Sequence, residues 1–324
     1  MSLVHVLVAD DFKAWRSEIR SILEVRPELR VVSEVSDGLT AVQKSEELQP
    51  ELILLDVNLP ELNGIEAARR MRKLAPGSRI LILSQESDPD VVQEALNSGA
   101  LGYIYKSQMQ RELLPAIESV LAGRQFVGSG LKGYKLRAGT QAQGSHRHDI
   151  VFYSNDATCV DILADFTIKA LRAGKTAVVV ATKPHREGFL QKVRADYADV
   201  NIDTVIQQGA CIILDSGETL RATTLNGLPD RGGLFDKVGG LIESVRKGSD
   251  IQRHSVAVCG ECSPLLWTEG KKEAAIEFEH LSDELTKMYG IELLCTHPLS
   301  SYQGKGNEEG LKRMCAEHMA VYFE

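Results

Sequence analysis

Both halves of the chain alternate short apolar runs with longer stretches of helical periodicity. In the first half the apolar runs are Val4–Ala9, Val31–Val35, Leu52–Leu55, Ile80–Leu83 and Leu101–Tyr105. Continuous apolar runs of this length are typical of parallel strands that are buried on both faces. Parallel strands joined through helices form a doubly wound sheet, which binds ligands at the carboxyl ends of its strands. The first half therefore predicts an α/β domain with a five-stranded parallel sheet.

The second half resumes the alternation after a glycine-rich interruption. Five glycines occur between Phe126 and His148, among Ser, Gln and basic residues, which is the composition of a flexible linker. The strands expected after it are Ile150–Tyr153, Ala177–Ala181, Cys211–Leu214, Ser255–Cys259 and Ile291–Cys295. The helices expected there are Cys159–Ala173, Pro184–Tyr197, Gly232–Lys247, Lys271–Met288 and Glu308–Tyr322. These patterns predict one domain over residues 1–125, a linker over 126–147 and a second three-layer α/β domain over 148–324.

Composition limits the function classes. The formal net charge is −8 and no Lys/Arg run exceeds a pair, which argues against a surface that binds nucleic acid through its phosphates. All six cysteines lie after residue 150 without dense spacing, so free thiols in a reducing compartment are the simpler interpretation. No apolar run reaches the roughly 18 residues needed to span a bilayer, and the N-terminus passes directly into a strand. We therefore expect a cytoplasmic protein with neither DNA nor a membrane as partner.

Polar side chains follow the predicted strands of the first half where each strand ends. Asp10 and Asp11 follow the first strand, Asp56 the third, Ser84 the fourth and Lys106 the fifth. These side chains should converge, because parallel strands end at one edge of a sheet. Three carboxylates repel one another without a cation, and their hard oxygen atoms suit Mg²⁺. A carboxylate can attack phosphorus while Lys and Ser hold the phosphoryl oxygens, so the pattern predicts phosphoryl transfer to an aspartate.

Several short motifs of the first half occur in the order of a known family. They are Asp10-Asp11, Leu52-Ile-Leu-Leu-Asp56, Pro60, Gly64, Ser84 and Gly99-Ala-Leu-Gly-Tyr-Ile-Tyr-Lys106. With these motifs, residues 3–125 resemble the receiver domains of response regulators, in particular the NarL/FixJ branch. That branch usually continues into a DNA-binding helix-turn-helix, whereas this chain continues into a second α/β pattern. Transcription through direct DNA contact is therefore not the expected output.

The receiver resemblance implies a flavodoxin-like fold and a role for each matching residue. Asp56 would be phosphorylated by a partner histidine kinase. The implied magnesium ligands are Asp11 and Asp56 directly, Asp10 through water, and the backbone carbonyl of Asn58. Ser84 and Lys106 would contact the phosphoryl group, and Tyr103 would be the aromatic switch that changes rotamer together with Ser84.

The tripeptide Gly174-Lys175-Thr176 resembles the end of a phosphate-binding loop, but its context differs. The full signature has a glycine five positions before Gly174, where residue 169 is Lys. A phosphate loop runs from strand to helix, whereas here a predicted helix ends at Ala173 and a strand follows. The simpler interpretation is that Gly174 ends the helix in a left-handed conformation.

Cysteine and histidine residues of the second half allow two interpretations. Cys259 and Cys262 have a two-residue spacing, but no second pair with that spacing completes a zinc site. Cys315 and His318 lie one helical turn apart, and Cys295 and His297 end a strand, so a mixed Cys/His metal site stays open. Cysteines on buried strands are more often plain core residues.

Glu261 follows a predicted strand of the second half, with Trp267 close behind. A carboxylate beside an aromatic ring at a strand end can recognise a ligand. An acidic residue before a helix that starts near residue 264 can equally stabilise that helix. The strand-end rule also brings Tyr153 to this edge, with His148 and His185 nearby. These five residues are the predicted ligand site, and both interpretations of Glu261 stay open.

The second half also carries motifs of a known family over about residues 146–322. They are His148-Asp-Ile-Val-Phe-Tyr153, Ala181-Thr-Lys-Pro-His185-Arg186, Gly227-Leu-Pro-Asp230, Gly260-Glu261, Leu265-Leu-Trp267, Phe278-Glu279-His-Leu281, Leu293-Leu-Cys295 and Cys315-Ala-Glu-His318. In order and spacing they resemble the MEDS sensory domain of methanogens and methylotrophs. The resemblance implies a sensor of small hydrocarbon-like ligands and a RecA-like fold with a degenerate phosphate loop. Ser282 and His297 stand where aromatic residues are expected, which leaves the ligand open.

The whole sequence therefore predicts a two-domain response regulator that is not an enzyme. Its expected partners are a histidine kinase, a small apolar ligand, a downstream protein and a second copy in a homodimer. Two alternatives remain for the second domain, an active RecA-like ATPase and a transcription regulator that binds DNA.

Overall fold

A computed structural model describes residues 3–129, 146–248, 255–302 and 308–324. Backbone contacts divide the chain into two compact units. Unit 1 comprises Met1–Lys135 with Ala320–Glu324, and unit 2 comprises Leu136–Met319. Most of the expected linker, residues 130–145, lies outside the described residues. None of the helices in the described ranges is long and apolar enough to cross a membrane.

Unit 1 has the predicted alternation of strands and helices. Its strands are β1 Val4–Ala9, β2 Leu29–Val35, β3 Leu52–Leu55, β4 Arg79–Ser84, β5 Gly102–Tyr105 and β6 Gln125–Val127. Its helices are α1 Lys13–Leu23, α2 Gly38–Leu48, α3 Gly64–Leu74, α4 Pro89–Asn97 and α5 Met109–Leu121. The strands pair in parallel in the order β2-β1-β3-β4-β5-β6. The reversal of strand order beside β1 makes this the flavodoxin-like arrangement that was predicted.

Local sequence explains where the helices of unit 1 begin. The side chains of Asp37, Asn63 and Asp88 accept hydrogen bonds from backbone N–H groups in the first turns of α2, α3 and α4. Gly64 also starts α3 where the chain passes close to Asp56. A Cβ atom at position 64 would lie 1.9 Å from the Asp56 carbonyl oxygen, so only glycine allows this approach.

Unit 2 contains a second parallel sheet. Its strands are β7 Arg147–Tyr153, β8 Thr176–Ala181, β9 Cys211–Asp215, β10 Thr224–Leu225, β11 Leu228–Pro229, β12 Val256–Gly260 and β13 Glu292–Pro298. Its helices are α6 Asp156–Arg172, α7 Lys183–Asp196, α8 Ile202–Gln207, α9 Ser216–Ala222, α10 Arg231–Leu234, α11 Gly240–Gly248, α12 Cys262–Thr268, α13 Lys272–Tyr289 and α14 Glu308–Ala316. The long strands pair in parallel in the order β7-β13-β12-β8-β9, and β10 with β11 forms a short antiparallel hairpin.

The predicted strands of unit 2 all occur, but two of the predicted helices differ. The helix expected over Gly232–Lys247 is divided into α10, a π-helical turn over Phe235–Gly239 and α11. Gly174 follows α6 with a φ of +73°, so the interpretation of Gly174 as a left-handed helix end is confirmed.

The predicted helix Glu308–Tyr322 is wrong in its last third. The helix α14 ends at Ala316, and β14 Ala320–Phe323 follows as a buried strand. Ala320 pairs with Gln125 and Tyr322 with Val127, so β14 adds to the sheet of unit 1 beside β6. A short apolar run fits either a helix or a strand by periodicity alone. Phe126 and Val127, expected in the linker, also lie in a strand because β6 pairs with β5 and β14.

Candidate functional sites

The strand ends of unit 1 bring the predicted acidic residues together with a lysine. Asp10 follows β1, Asp56 follows β3 and Lys106 follows β5, and all three are buried. Lys106 Nζ lies 2.7 Å from Asp10 Oδ2 and 3.0 Å from Asp56 Oδ2. One cation therefore bridges two buried carboxylates, as the strand-end rule predicted.

Asp11 completes a group of carboxylates that can hold a metal ion. One oxygen atom from each of Asp10, Asp11 and Asp56 lies within 4.8 Å of the others, and Asp11 is exposed to solvent. Burial raises the pKa of Asp56 and the Asp10 charge adds to this rise, while Lys106 opposes both. Three carboxylates against one lysine leave excess negative charge, and these oxygen donors fit Mg²⁺.

Backbone contacts hold Asp56 at the floor of an open cleft. The Asp56 N–H donates to the Ala9 carbonyl at 2.9 Å, and Asp56 Oδ1 accepts from the Val57 N–H at 2.8 Å. The cleft has a volume of about 460 Å³, and Trp15 and Asn58 are among the residues that line it. The second carboxylate oxygen of Asp56 faces Lys106, so a phosphorus atom in the cleft can be reached by a charge-compensated nucleophile.

Ser84 and Tyr103 occupy the neighbouring strands β4 and β5 and are fully buried. The Ser84 hydroxyl accepts a hydrogen bond from the Glu86 N–H at 3.1 Å, and the Tyr103 hydroxyl donates to the Glu86 carbonyl at 2.9 Å. Burial raises the pKa of Tyr103 to about 12 against the lowering effect of Ser84. In this structure the tyrosine ring is turned inward and tied to the loop after β4.

The five predicted ligand-site residues of unit 2 divide between two buried clusters. His185 contacts both Tyr153 and Glu261. His148 contacts a second carboxylate, Glu279. Trp267 is linked to Glu279 only indirectly, because it packs on Tyr302, which contacts His297 next to Glu279. We call the two groups the Glu261 cluster (Cys159, His185, Glu261) and the Glu279 cluster (His148, Glu279, Cys295, His318).

In the Glu261 cluster, one carboxylate joins two secondary-structure elements. Glu261 Oε1 contacts His185 Nδ1 and accepts from Cys159 Sγ at 3.3 Å. Glu261 Oε2 accepts from the Thr182 N–H at 2.7 Å, directly before α7. The side chain makes no capping bond to its own helix α12. Glu261 stands at the N-terminus of α12, as expected, but its carboxylate makes its backbone hydrogen bond at the start of α7, so the stabilisation of α12 by its charge stays a prediction.

In the Glu279 cluster, one fully buried carboxylate is surrounded on both oxygens. Oε2 lies 3.2 Å from His148 Nε2, 3.2 Å from His318 Nε2 and 3.1 Å from Cys295 Sγ. Oε1 lies 3.0 Å from His297 Nε2 and also accepts from the Ser263 hydroxyl. These contacts come from α12, α13, β7, β13 and the segment after α14, so the cluster holds the layers of unit 2 together.

The imidazoles around Glu279 have very different proton affinities. Burial lowers the pKa of His148, but the neighbouring carboxylates of Asp283 and Glu279 outweigh burial and raise it to about 9. Burial and the nearby charge of His148 lower the pKa of His318 to about 4. Burial alone would raise the pKa of Glu279, yet the surrounding imidazoles hold it well below its usual range. Glu279 is therefore an ionised carboxylate in a fully buried position.

Two family models match the chain. Residues 6–118 match the model described as the response regulator receiver domain, and residues 147–312 match the MEDS model, the methanogen/methylotroph, DcmR sensory domain. The MEDS match covers just over half of the 324 residues. The chain belongs to the MEDS family and carries a receiver domain. Unit 1 is hereafter the receiver unit and unit 2 the MEDS unit.

The curated relatives match the receiver part of this architecture. The transcriptional regulatory protein DegU of Brevibacillus brevis is 33% identical over 124 residues, which are 38% of this chain and 52% of that protein. The nitrate/nitrite response regulator protein NarL of Escherichia coli strain K12 is 32% identical over 126 residues, 39% of this chain and 58% of that protein. The chain thus spans about half the length of these relatives.

Solved structures of receiver domains are also similar. A two-component response regulator of the LuxR family from Aurantimonas sp. SI85-9A1 is 35% identical with a TM-score of 0.37, and covers 38% of this chain and 89% of its own. The response regulator domain of Thermotoga maritima CheB is 34% identical with a TM-score of 0.35, and covers 37% of this chain and 97% of its own.

The MEDS unit also contains a small, mostly apolar pocket beside the Glu279 cluster. Its volume is about 60 Å³, and its wall is mostly aliphatic with one aromatic ring, Phe278. The polar side chains that line it are Thr219, Ser263, Glu279 and Ser282, together with the thiols of Cys262 and Cys295. Gly260 and Cys262 line the same cavity, while Glu261 between them contacts His185.

Sequence reasoning did not assign a role to Glu279. It lies in the middle of α13 and reads as one of the many charged residues of that helix, although it is completely buried. His318, three residues after Cys315, was considered only as part of an open metal alternative. The available signal was the Phe278-Glu279-His-Leu281 motif, which carries an acidic residue between positions that pack inward.

Proposed function

We propose that the protein is a two-component response regulator that accepts a phosphoryl group on Asp56 from a histidine kinase. The observation that carries the proposal is the contact of Lys106 with both Asp10 and Asp56 at the floor of an open acidic cleft. Asp56 is the carboxylate at the centre of this arrangement, and its neighbours neutralise charge on the incoming phosphoryl oxygens.

The acidic residues of the cleft would hold one Mg²⁺ ion, with Asp11, Asp56 and the backbone of Asn58 as the closest candidates. Bound Mg²⁺ supplies charge neutralisation for the carboxylates and for the phosphoryl oxygens. Asp56 then provides the attacking oxygen, while Lys106 and the Ser84 hydroxyl hold the transferred group. Tyr103 would change its hydrogen bond when Ser84 is engaged, which alters the loop that contains Glu86.

The test of this proposal is transfer from a small phosphodonor in the presence of Mg²⁺. Wild-type chain should acquire an acyl phosphate that is released by hydroxylamine and is visible as a shifted band on a phosphate-affinity gel. Asp56→Asn should not be modified. Asp88→Asn is the matched control, because Asp88 is an exposed helix cap whose bond an asparagine can also make. Equal modification of Asp56→Asn and wild type would place the phosphoryl group on another residue.

For the MEDS unit we propose a regulatory role, in which a small and largely apolar ligand is sensed and the output passes to a protein partner. The small cavity beside Glu279 supports this, because an apolar wall with a few polar atoms is the form of a ligand site. We do not propose an ATPase, since Gly174 ends a helix and lacks the preceding glycine of a phosphate loop.

The proposed output also excludes tight binding to duplex DNA, and the proposed location is the cytoplasm. The chain is acidic overall, with a net charge of −8. A mobility-shift assay at physiological salt, with and without phosphodonor, should give no specific complex. A sequence-specific complex at nanomolar concentration would establish the DNA-binding alternative instead.

A further inference from the structure

Four potential ligand atoms in the Glu279 cluster lie within 4.8 Å of one another, and four of their six separations are close to those of a tetrahedral metal site. Glu279 Oε2 is 3.2 Å from His148 Nε2, 3.2 Å from His318 Nε2 and 3.1 Å from Cys295 Sγ, and His148 Nε2 is 3.4 Å from Cys295 Sγ. Zinc with bond lengths of about 2.0 to 2.3 Å places neighbouring tetrahedral ligands about 3.3 to 3.7 Å apart. All four side chains are buried, and one metal ion at their centre would lengthen these contacts by a few tenths of an ångström.

The ring of His318 faces an acceptor on each side. His318 Nδ1 lies 2.7 Å from the Met314 carbonyl oxygen, and Nε2 lies 3.2 Å from Glu279 Oε2. A neutral imidazole carries one proton, so either tautomer turns one nitrogen lone pair towards an oxygen lone pair. A proton on Nδ1 satisfies the shorter contact and leaves the Nε2 lone pair directed at the carboxylate. A cation between the two atoms removes this conflict.

We propose that the MEDS unit binds one zinc ion through the four atoms of the Glu279 cluster. One thiolate, one carboxylate and two neutral imidazoles bring two negative charges, which balance a divalent cation in a buried position. The mixture of sulfur, nitrogen and oxygen atoms suits the borderline-soft zinc ion rather than magnesium. Binding displaces the thiol proton of Cys295 and the proton on His148 Nε2 to solvent, so that a thiolate and two neutral imidazoles become metal ligands.

The surroundings of His318 are those of a metal ligand, because its Nδ1 bonds to the Met314 carbonyl and fixes the ring with Nε2 towards the other three ligand atoms. His148 Nδ1 lies 3.7 Å from Asp283 Oδ1, which is an electrostatic contact beyond hydrogen-bond distance. Four protein ligands leave no open position, which makes the site structural. His318 lies two residues before Ala320, where β14 begins, so the metal would fix the chain directly before the strand that pairs with β6.

Metal analysis of the full-length chain tests the proposal. Wild type purified with zinc, exchanged into excess Mg²⁺ and passed over a chelating column, should retain about one zinc per chain by elemental analysis. The variants Cys295→Ala and His318→Ala should retain at least tenfold less. Cys259→Ala is the matched control, because Cys259 is a buried cysteine on the neighbouring strand β12 and its side chain contacts Thr167. Cys159→Ala separates the two clusters and should also retain zinc.

Cobalt substitution provides a readout that requires no variant. Wild-type chain freed of zinc and loaded with Co²⁺ should show the strong visible bands of a tetrahedral ion and a near-ultraviolet thiolate-to-metal band. A chain that is folded by circular dichroism, holds no zinc and shows no thiolate band would overturn the proposal in favour of a hydrogen-bond network. Loss of zinc in Cys159→Ala but not in Cys295→Ala would overturn it equally, because the metal would then belong to the Glu261 cluster.

Discussion

Asp56 in the receiver unit and Glu279 in the MEDS unit are both buried carboxylates, but their neighbours have opposite charge. Asp56 shares its cleft with Asp10 and Asp11 and has one lysine to compensate them. Glu279 has no acidic residue in its cluster and is surrounded by imidazole, thiol and hydroxyl groups. The receiver cleft therefore keeps excess negative charge and stays open to solvent, whereas the Glu279 cluster is compensated and closed.

This difference separates a reactive site from a structural one. A carboxylate that repels its neighbours gains by binding a cation, which also compensates the charge of an incoming phosphoryl group. A carboxylate that satisfies several buried donors contributes to the cohesion of the layers, and its loss leaves those donors without a partner. The same chemical substitution should thus have different consequences in the two units.

The two tryptophans of the chain allow the units to be followed separately. Trp15 lines the receiver cleft, and Trp267 packs against Tyr302 in the MEDS unit with ring centroids 4.5 Å apart. In a Trp267→Phe background the emission reports on the receiver unit, and in a Trp15→Phe background it reports on the MEDS unit.

The largest contrast is expected for the amide substitutions at the two carboxylates. Glu279→Gln should lower the free energy of unfolding of the MEDS unit by about 3–5 kcal/mol, because it removes one partner of a buried charged network. Asp56→Asn should change the stability of the receiver unit by less than about 1 kcal/mol and in the stabilising direction, because it relieves repulsion among three carboxylates. Urea unfolding followed through Trp267 and Trp15 measures both values. Equal losses in the two units would remove the distinction between the sites.

A smaller effect is expected from Mg²⁺ on the receiver unit alone. In the Trp267→Phe background, Mg²⁺ should change the emission of Trp15, since the ring lies in the cleft with Lys106 Nζ 5.5 Å from its centroid. Asp11→Asn should weaken the apparent affinity at least tenfold, or about 1.4 kcal/mol, because it removes a charged oxygen ligand.

Asp90→Asn is the control for the magnesium titration, because Asp90 is an exposed acidic residue in the first turn of α4. Its affinity for Mg²⁺ should equal that of the parent chain. Emission of Trp267 in the Trp15→Phe background should not respond to Mg²⁺ at the same concentrations. A response of Trp267 with equal affinity would mean that the ion acts through a site in the MEDS unit.

The receiver cleft could be predicted from the sequence because its residues follow strands. Asp10, Asp56, Ser84 and Lys106 each stand at the end of a strand, and parallel strands that end at one edge fix where such residues meet. The order of the strands was not needed for that conclusion. Gly64 was identified only as part of a matched motif, and its close approach to Asp56 is visible only in the structure.

The Glu279 cluster could not be predicted in the same way because its residues come from unlike elements. Glu279 lies within a helix, His318 follows a short helix, and His148 lies inside a strand. No single periodicity relates these positions, so only the packing of helix on sheet brings them together. The strand β14 was missed for a similar reason, since its pairing with β6 depends on residues almost 200 positions away in the chain.

The finest contrast is between two tyrosine hydroxyls. The Tyr103 hydroxyl donates to the carbonyl of Glu86 at 2.9 Å, and Glu86 is exposed, so water can replace the lost donor in Tyr103→Phe. The Tyr302 hydroxyl lies 2.7 Å from His297 Nδ1, and both residues are buried. Tyr103→Phe should therefore lower the free energy of unfolding by about 0.5–1 kcal/mol and Tyr302→Phe by about 1–3 kcal/mol, because only the second leaves a buried polar atom without a partner.

The pKa of Tyr103 is raised to about 12, so its hydroxyl stays protonated and the loss in Tyr103→Phe should be constant from pH 6 to about pH 9. Urea unfolding followed by the emission of Trp15 for Tyr103→Phe and of Trp267 for Tyr302→Phe, each at pH 6 and pH 9, measures the loss of stability of both variants. If Tyr103→Phe costs as much as Tyr302→Phe, the loop that contains Glu86 is closed to water, and the receiver cleft is less adjustable than its open geometry indicates.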